Sequence, residues 1–119
     1  MQSILIGKIL RMYDYVGPFS EGLAEAMEDG KWFHIRPSGS PAYWQRYKMV
    51  WSFSEGLAEA LDDDGEFHIR LDGTPAYGMR YSRVLPFCEG LALAIKNGQW
   101  FYIRLDGTRV DPKSIKTPV

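Results

Sequence analysis

The sequence contains one cysteine, Cys88, so no internal disulfide and no multi-thiolate metal site can form, and a reducing, cytoplasmic location is the expectation. It carries no surplus of either charge: 14 Lys and Arg stand against 15 Asp and Glu, which gives nothing to steer the chain toward nucleic acid or an anionic membrane. Long hydrophobic runs are missing too. The apolar stretch Ile4-Leu5-Ile6 is broken by Lys8 and Arg11, which predicts neither a signal peptide nor a membrane span. Compositional bias is equally absent: with 45% hydrophobic and 24% charged residues, a wholly disordered or collagenous chain is excluded. Its 119 residues suffice for one core.

What the sequence does contain is a repeat. Phe-Ser-Glu-Gly-Leu-Ala-Glu-Ala starts at Phe19 and recurs unchanged at Phe53, and 20 of the 34 positions in the first two copies are identical. A third copy begins Phe87-Cys88-Glu89-Gly90-Leu91-Ala92, with Cys88 where the others carry Ser20 and Ser54; that equivalence reads as a small packing residue rather than a nucleophile. The third copy keeps Phe101-Tyr102-Ile103-Arg104 and then diverges, as a terminal repeat that has lost its last strand. Tyr13 and Val16 align with Tyr47 and Val50, and residues 7–10 fall where 41–44 lie. Residues 1–110 are therefore one repeat domain: a partial repeat over 1–18, repeats over 19–52 and 53–86, and a truncated repeat over 87–110, followed by a loose tail at 111–119.

Within a repeat the punctuation is that of antiparallel strands. Asp29-Gly30, Asp64-Gly65 and Asn97-Gly98 read as two-residue hairpin turns, because both central residues of a type I′ turn need positive φ. A second set of turns, Ser38-Gly39, Asp72-Gly73 and Asp106-Gly107, makes each unit read strand, tight turn, strand, turn, strand. In the middle strand Phe33/Ile35, Phe67/Ile69/Leu71 and Phe101/Ile103/Leu105 alternate with polar or aromatic residues at a period of two, which assigns the Phe-Ile-Leu face to the core. The runs 22–26 and 56–60 hold good helix formers but are too short for stable helices between turns, so they read as strands.

Phe-Ser-Glu-Gly-Leu-Ala followed by Asp29-Gly30-Lys31-Trp32 and an aromatic-x-Ile strand resembles the WG-repeat family, including its KWG variants, of bacterial tandem-repeat proteins. Repeat two places Glu66 where the Trp is expected and shifts its Gly by one residue. The resemblance implies a β-rich repeat scaffold without a catalytic centre of its own and with interaction roles.

The residues give little support to an enzyme. His34 and His68 are equivalent positions, but the third repeat substitutes Tyr102, and Arg36 and Arg70 would oppose a cation, so no metal site is expected. The run Asp62-Asp63-Asp64-Gly65-Glu66 lacks the spacing of a calcium loop and reads as an acidic turn. Glu21, Glu55 and Glu89 recur beside a Gly, yet a catalytic pair needs two different environments, whereas repeat-equivalent positions get similar ones. A structural task suits them better, either accepting backbone N–H bonds or pairing with Arg46 and Arg80. No cofactor is expected.

The candidate binding surface is the stripe Trp32, His34, Arg36, His68, Arg70, Trp100, Tyr102 and Arg104, which sets rings beside guanidinium groups on the non-core side of successive middle strands. The opposing reading is that both faces of the sheet are buried and these rings fill space between units. The expected fold is all-β, a tandem repeat of three ~34-residue three-stranded antiparallel meanders in an open or propeller-like array, with a threefold-closed, β-trefoil-like arrangement as the alternative. The expected function is a non-catalytic module that binds a protein partner through that aromatic/Arg face. A carbohydrate-binding, lectin-like domain and a self-assembling structural unit, hence a homo-oligomer, are the alternatives.

Overall fold

A computed structural model of the chain describes residues 2–111, with side chains from residue 7 onward. Apart from Asp111, the expected tail lies outside the described residues. One helix, α1 (Gln2–Met12), precedes nine strands: β1 (Tyr15–Ser20), β2 (Leu23–Glu28), β3 (Lys31–Ile35), β4 (Met49–Val50), β5 (Leu57–Asp62), β6 (Gly65–Arg70), β7 (Arg83–Val84), β8 (Ala92–Lys96) and β9 (Gln99–Ile103). The strands form three antiparallel sheets in sequential order, β1-β2-β3, β4-β5-β6 and β7-β8-β9. The tandem meanders expected from the repeat are therefore present. Extents of 54 × 33 × 20 Å and a radius of gyration of 16.1 Å, against about 13 Å for a compact domain of this length, describe an open array and not a threefold closure.

The meanders are drawn in a different phase from the one the turns indicated. The segments after Ser38-Gly39, Asp72-Gly73 and Asp106-Gly107 make only isolated bridges to the preceding strand, at Pro41 and Tyr47, Pro75 and Tyr81, and Arg109, and the third strand of each sheet is instead the segment before the Glu-Gly pair. Sheet three is consequently complete and has lost no strand. The turn that joins the first two strands is Glu21-Gly22, Glu55-Gly56 or Glu89-Gly90, with φ of 52 and 82°, 53 and 80°, and 53 and 82°. Those are the positive values a type I′ turn demands. Asp29-Gly30 and Asn97-Gly98 form the second hairpin as expected. In unit two the register pairs Asp62 with Gly65, so Asp63-Asp64 occupy that turn, and Gly65 sits one residue later beneath the Tyr81 carbonyl.

The N-terminal segment shares the repeat's contacts without its conformation. Residues 41–46 begin with Pro and are irregular, whereas Gln2–Met12 has no Pro, is rich in Ile, Leu, Lys and Arg, and closes with Arg11 at its negative end, so it coils into a helix. Ile9 nevertheless packs on Gly39, as Tyr43 packs on Gly73 and Tyr77 on Gly107. Tyr13 donates to the Gly39 carbonyl at 2.6 Å, as Tyr47 and Tyr81 donate to those of Gly73 and Gly107.

Both faces of the first two sheets are buried along β3 and β6. On one, Phe33 meets the edge of Tyr13 and carries the Arg46 guanidinium 3.7 Å above its ring, an arrangement repeated by Phe67 with Tyr47 and Arg80. On the other, His34 packs 4.5 Å from Phe53 of the next unit, and His68 the same distance from Phe87. Phe67 and Ile69 are fully buried as the period of two predicts, but Leu71 and Leu105, assigned to the same face, are about half exposed. The strand ends one residue before Leu71 and two before Leu105, so the alternation that would have turned them inward stops short of them.

Candidate functional site

The expected stripe is not one surface. His34 and His68 are entirely buried. Each is held by two bonds: Nε2 faces a carbonyl of the following unit, Trp51 at 2.8 Å or Leu85 at 2.9 Å, and Nδ1 faces the Tyr43 or Tyr77 hydroxyl at 2.5 Å. A carbonyl only accepts, so Nε2 carries the proton and Nδ1 accepts from the phenol; this is the neutral ring. Burial pushes both histidines down to about 4, only partly opposed by the carbonyl contact. The same burial pushes Tyr43 and Tyr77 up, so the phenols stay protonated donors. These pairs are inter-unit joints, not ligands in waiting.

The three tryptophan-type positions also separate. Trp32 is half-buried against Tyr15, with ring centroids 5.4 Å apart; Glu66 instead accepts the Val84 N–H at 3.0 Å; Trp100 is exposed, as is Tyr102. Cys88 is exposed rather than packed. Ser20 and Ser54 reach across to the Phe53 and Phe87 carbonyls, and the third repeat has no such neighbour among the described residues.

Arg36, Arg70 and Arg104 remain exposed and are braced. Arg36 donates to the carbonyls of Pro41 and Ala42 at 2.8 and 3.3 Å, Arg70 to those of Pro75 and Ala76 at 3.0 and 3.3 Å, and Arg104 to Arg109 at 3.1 Å. Each thereby clasps the loop after its own strand, and a guanidinium with five N–H groups keeps donors for a ligand. In two units the loop is tightened further: the Asp72 carboxylate accepts from Thr74 N and Oγ1, and Asp106 from Thr108 in the same way, bonds that hold both carboxyls below their ordinary value.

These loops border two equivalent clefts, one between units one and two and one between units two and three. The larger, about 670 Å³, is lined by Glu55, Gly56, Leu57, Arg70, Ala76 and Leu105, among others; the smaller, about 290 Å³, by Glu21, Gly22, Leu23, Arg36, Ala42 and Leu71. The six named residues correspond one for one at 34-residue spacing. Sequence reasoning placed Arg36 and Arg70 at a site but missed Leu71 and Leu105, whose position beyond the last paired residue was the only available signal.

The recurring glutamates frame the same clefts, and they accept backbone N–H bonds rather than pairing with Arg46 or Arg80. The Glu21 carboxylate takes the N–H groups of Glu55 and Gly56 at 2.7 and 2.9 Å, and the Glu55 carboxylate those of Glu89 and Gly90 at 2.8 and 3.4 Å. Each carboxylate thus steadies the next unit's left-handed turn. Arg80 pairs with Asp62 at 2.9 Å and Arg46 turns to nearby carbonyls. No group of three or more His, Cys, Asp or Glu suited to a metal occurs among the described residues, and no helix among them is long and apolar enough to cross a membrane.

Comparison with known proteins places this geometry. Residues 10–32, from the end of α1 through β1 and β2 to Trp32, match the family model of the WG containing repeat. No curated protein and no solved structure matches the chain. The matched stretch holds β1, the Glu21-Gly22 turn, β2 and the Asp29-Gly30 turn; its strand, Glu-Gly turn and strand recur in the other two sheets, and the match supports a WG-type repeat.

Proposed function

We propose that this WG-repeat array is a non-catalytic module that binds another protein along the row of inter-unit clefts. The observation that carries the reading is the pairing, twice at repeat spacing, of an exposed leucine with a braced arginine: Leu71 with Arg36 and Leu105 with Arg70. Leucine offers apolar area, and a guanidinium already fixed to its own loop loses little freedom when it meets a partner's carboxylate. Two modest sites in register add through effective concentration rather than through any single strong contact. The buried titratable groups fit this reading, since His34, His68 and their tyrosines are consumed in holding units together.

A glycan would need a ring to stack upon, and neither cleft has an aromatic residue in its lining. The test is binding of a captured and then purified partner to wild type and to a Leu71→Glu/Leu105→Glu variant. Both side chains are half exposed, so the fold is expected to survive. At least about a tenfold loss of affinity is expected, equivalent to about 1.4 kcal/mol. Unchanged binding by the folded variant, or loss of binding with Trp100→Ala instead, overturns this placement.

A further inference from the structure

Inside the array every unit offers its successor the same socket. A ring receives a phenylalanine, a glutamate receives two turn N–H groups, and a serine hydroxyl donates to the phenylalanine carbonyl. Between units one and two these are His34 with Phe53, Glu21 with the N–H groups of Glu55 and Gly56, and Ser20 with the Phe53 carbonyl. Between units two and three they are His68 with Phe87, Glu55 with Glu89 and Gly90, and Ser54 with the Phe87 carbonyl. The plugs are tightly held, Phe53 being 2% and Phe87 1% exposed.

The third unit has the socket without a plug among the described residues. Tyr102, Glu89 and Cys88 stand at the three positions and, with Leu85, Pro86 and Leu93, line a groove of about 580 Å³. The Glu89 carboxylate has no partner among the described residues, and Tyr102 is 42% exposed where His34 and His68 are covered. The first unit has the complementary plug. Phe19 is also 42% exposed, and the N–H groups of Glu21 and Gly22 have no acceptor among the described residues.

We propose that the groove of the third unit receives the β1–β2 hairpin of a second copy of this chain, Phe19 against Tyr102 and the Glu21 and Gly22 N–H groups on the Glu89 carboxylate. The occupant follows from continuity with the interior joints, because Phe19-Ser20-Glu21-Gly22 is identical to the Phe53-Ser54-Glu55-Gly56 that fills the first of them. The ends are also matched where they depart from the repeat. Interior units send Tyr43 and Tyr77 onto the glycine of the next unit; at the N-terminus Ile9 already covers Gly39, and Asp111 stands at the tyrosine position of unit three, so the joint requires no tyrosine. Such a contact is heterologous and leaves one socket and one plug free on every dimer, so it grows instead of closing.

Sedimentation of the full chain from about 1 μM to about 1 mM is expected to show a mass that rises past the dimer. Phe19→Asp removes the plug and Glu89→Lys the socket, and each variant alone is expected to remain monomeric. An equimolar mixture is expected to form a 1:1 dimer that grows no further, since the first keeps its socket and the second its plug. Both positions are exposed, circular dichroism verifies the fold, and Cys88→Arg provides a second socket variant. A wild type that stays monomeric or stops at a dimer, a folded variant that assembles like wild type, or a mixture that fails to associate overturns the proposal. The Leu71→Glu/Leu105→Glu variant is expected to assemble normally, so this joint and the cleft reading fail independently.

Discussion

His34 and His68 each join one unit to the next, fully buried between a tyrosine hydroxyl and a backbone carbonyl. Each is neutral, held down to about 4, and its protonation in the folded state would break the acceptor bond from a tyrosine. Glu59 is the opposite case. Its equivalent, Glu25, accepts the Ser52 hydroxyl at 2.5 Å, but Pro86 stands where that serine would be, so Glu59 Oε1 is buried without a partner. Burial, with small contributions from Glu66 and Glu25, pushes Glu59 up to about 7. Histidines depressed in the fold supply stability that is present above pH ~6.5 and lost as pH falls toward 4, while a raised carboxyl supplies stability that is present below pH ~4.5 and lost as pH rises through 7. With two histidines against one carboxylate, stability is expected to climb with pH up to about 6.5 and to decline above it. Pro86→Ser gives Glu59 a donor and is expected to flatten the decline above pH ~6.5 and to steepen the climb between pH ~4.5 and ~6.5, where the raised carboxyl had opposed the histidines, as read by urea unfolding across pH. An unchanged alkaline limb in the folded variant would remove Glu59 as its cause.

At the scale of the element, the inter-unit fit depends on glycines that are invisible to a period-of-two reading. A Cβ on Gly73 would lie 2.3 Å from the Tyr43 ring, and the residue already has a φ of +83°. Both clash and left-handed backbone oppose any side chain there. Gly73→Ala is therefore expected to destabilise the chain by about 3 kcal/mol, whereas Gly78→Ala, with open space around it, is expected to stay within about 0.5 kcal/mol. Thermal unfolding of the two variants separates them. The same turn at Asp72-Gly73 was legible from its residues, but that its glycine also serves as a seat for a tyrosine from the preceding unit was not, because nothing in the sequence states which turn meets which loop.

Across the whole molecule, stability is distributed as in a one-dimensional array, in which each unit is supported by its own strands and by its neighbours. Unit two is covered on both sides, by Phe53 on His34 and Phe87 on His68, whereas unit three is open on one. Hydrogen exchange is expected to be slowest in β5 and β6 and faster in β9, with opening at the end of the array costing less than opening at its centre. Equal protection in all three sheets would instead indicate a single cooperative block. Exchange measured where the chain self-associates would also show β8 and β9 gaining protection.

The repeat, its 34-residue period, the strand character of the middle segments and the burial of Phe33, Ile35, Phe67 and Ile69 were legible in the order of the residues. These follow from local turn chemistry and from alternation, both written in adjacent residues. The tertiary structure alone decided the phase of the sheets, because a hairpin can be closed by the strand before it or the strand after it, and Glu-Gly turned out to be the joining turn. It also decided the fate of the expected stripe. Alternation along one strand says which side chains share a face but not whether another unit covers that face; here Phe53 and Phe87 bury the histidines, while strand ends leave Leu71, Leu105 and the arginines at the surface.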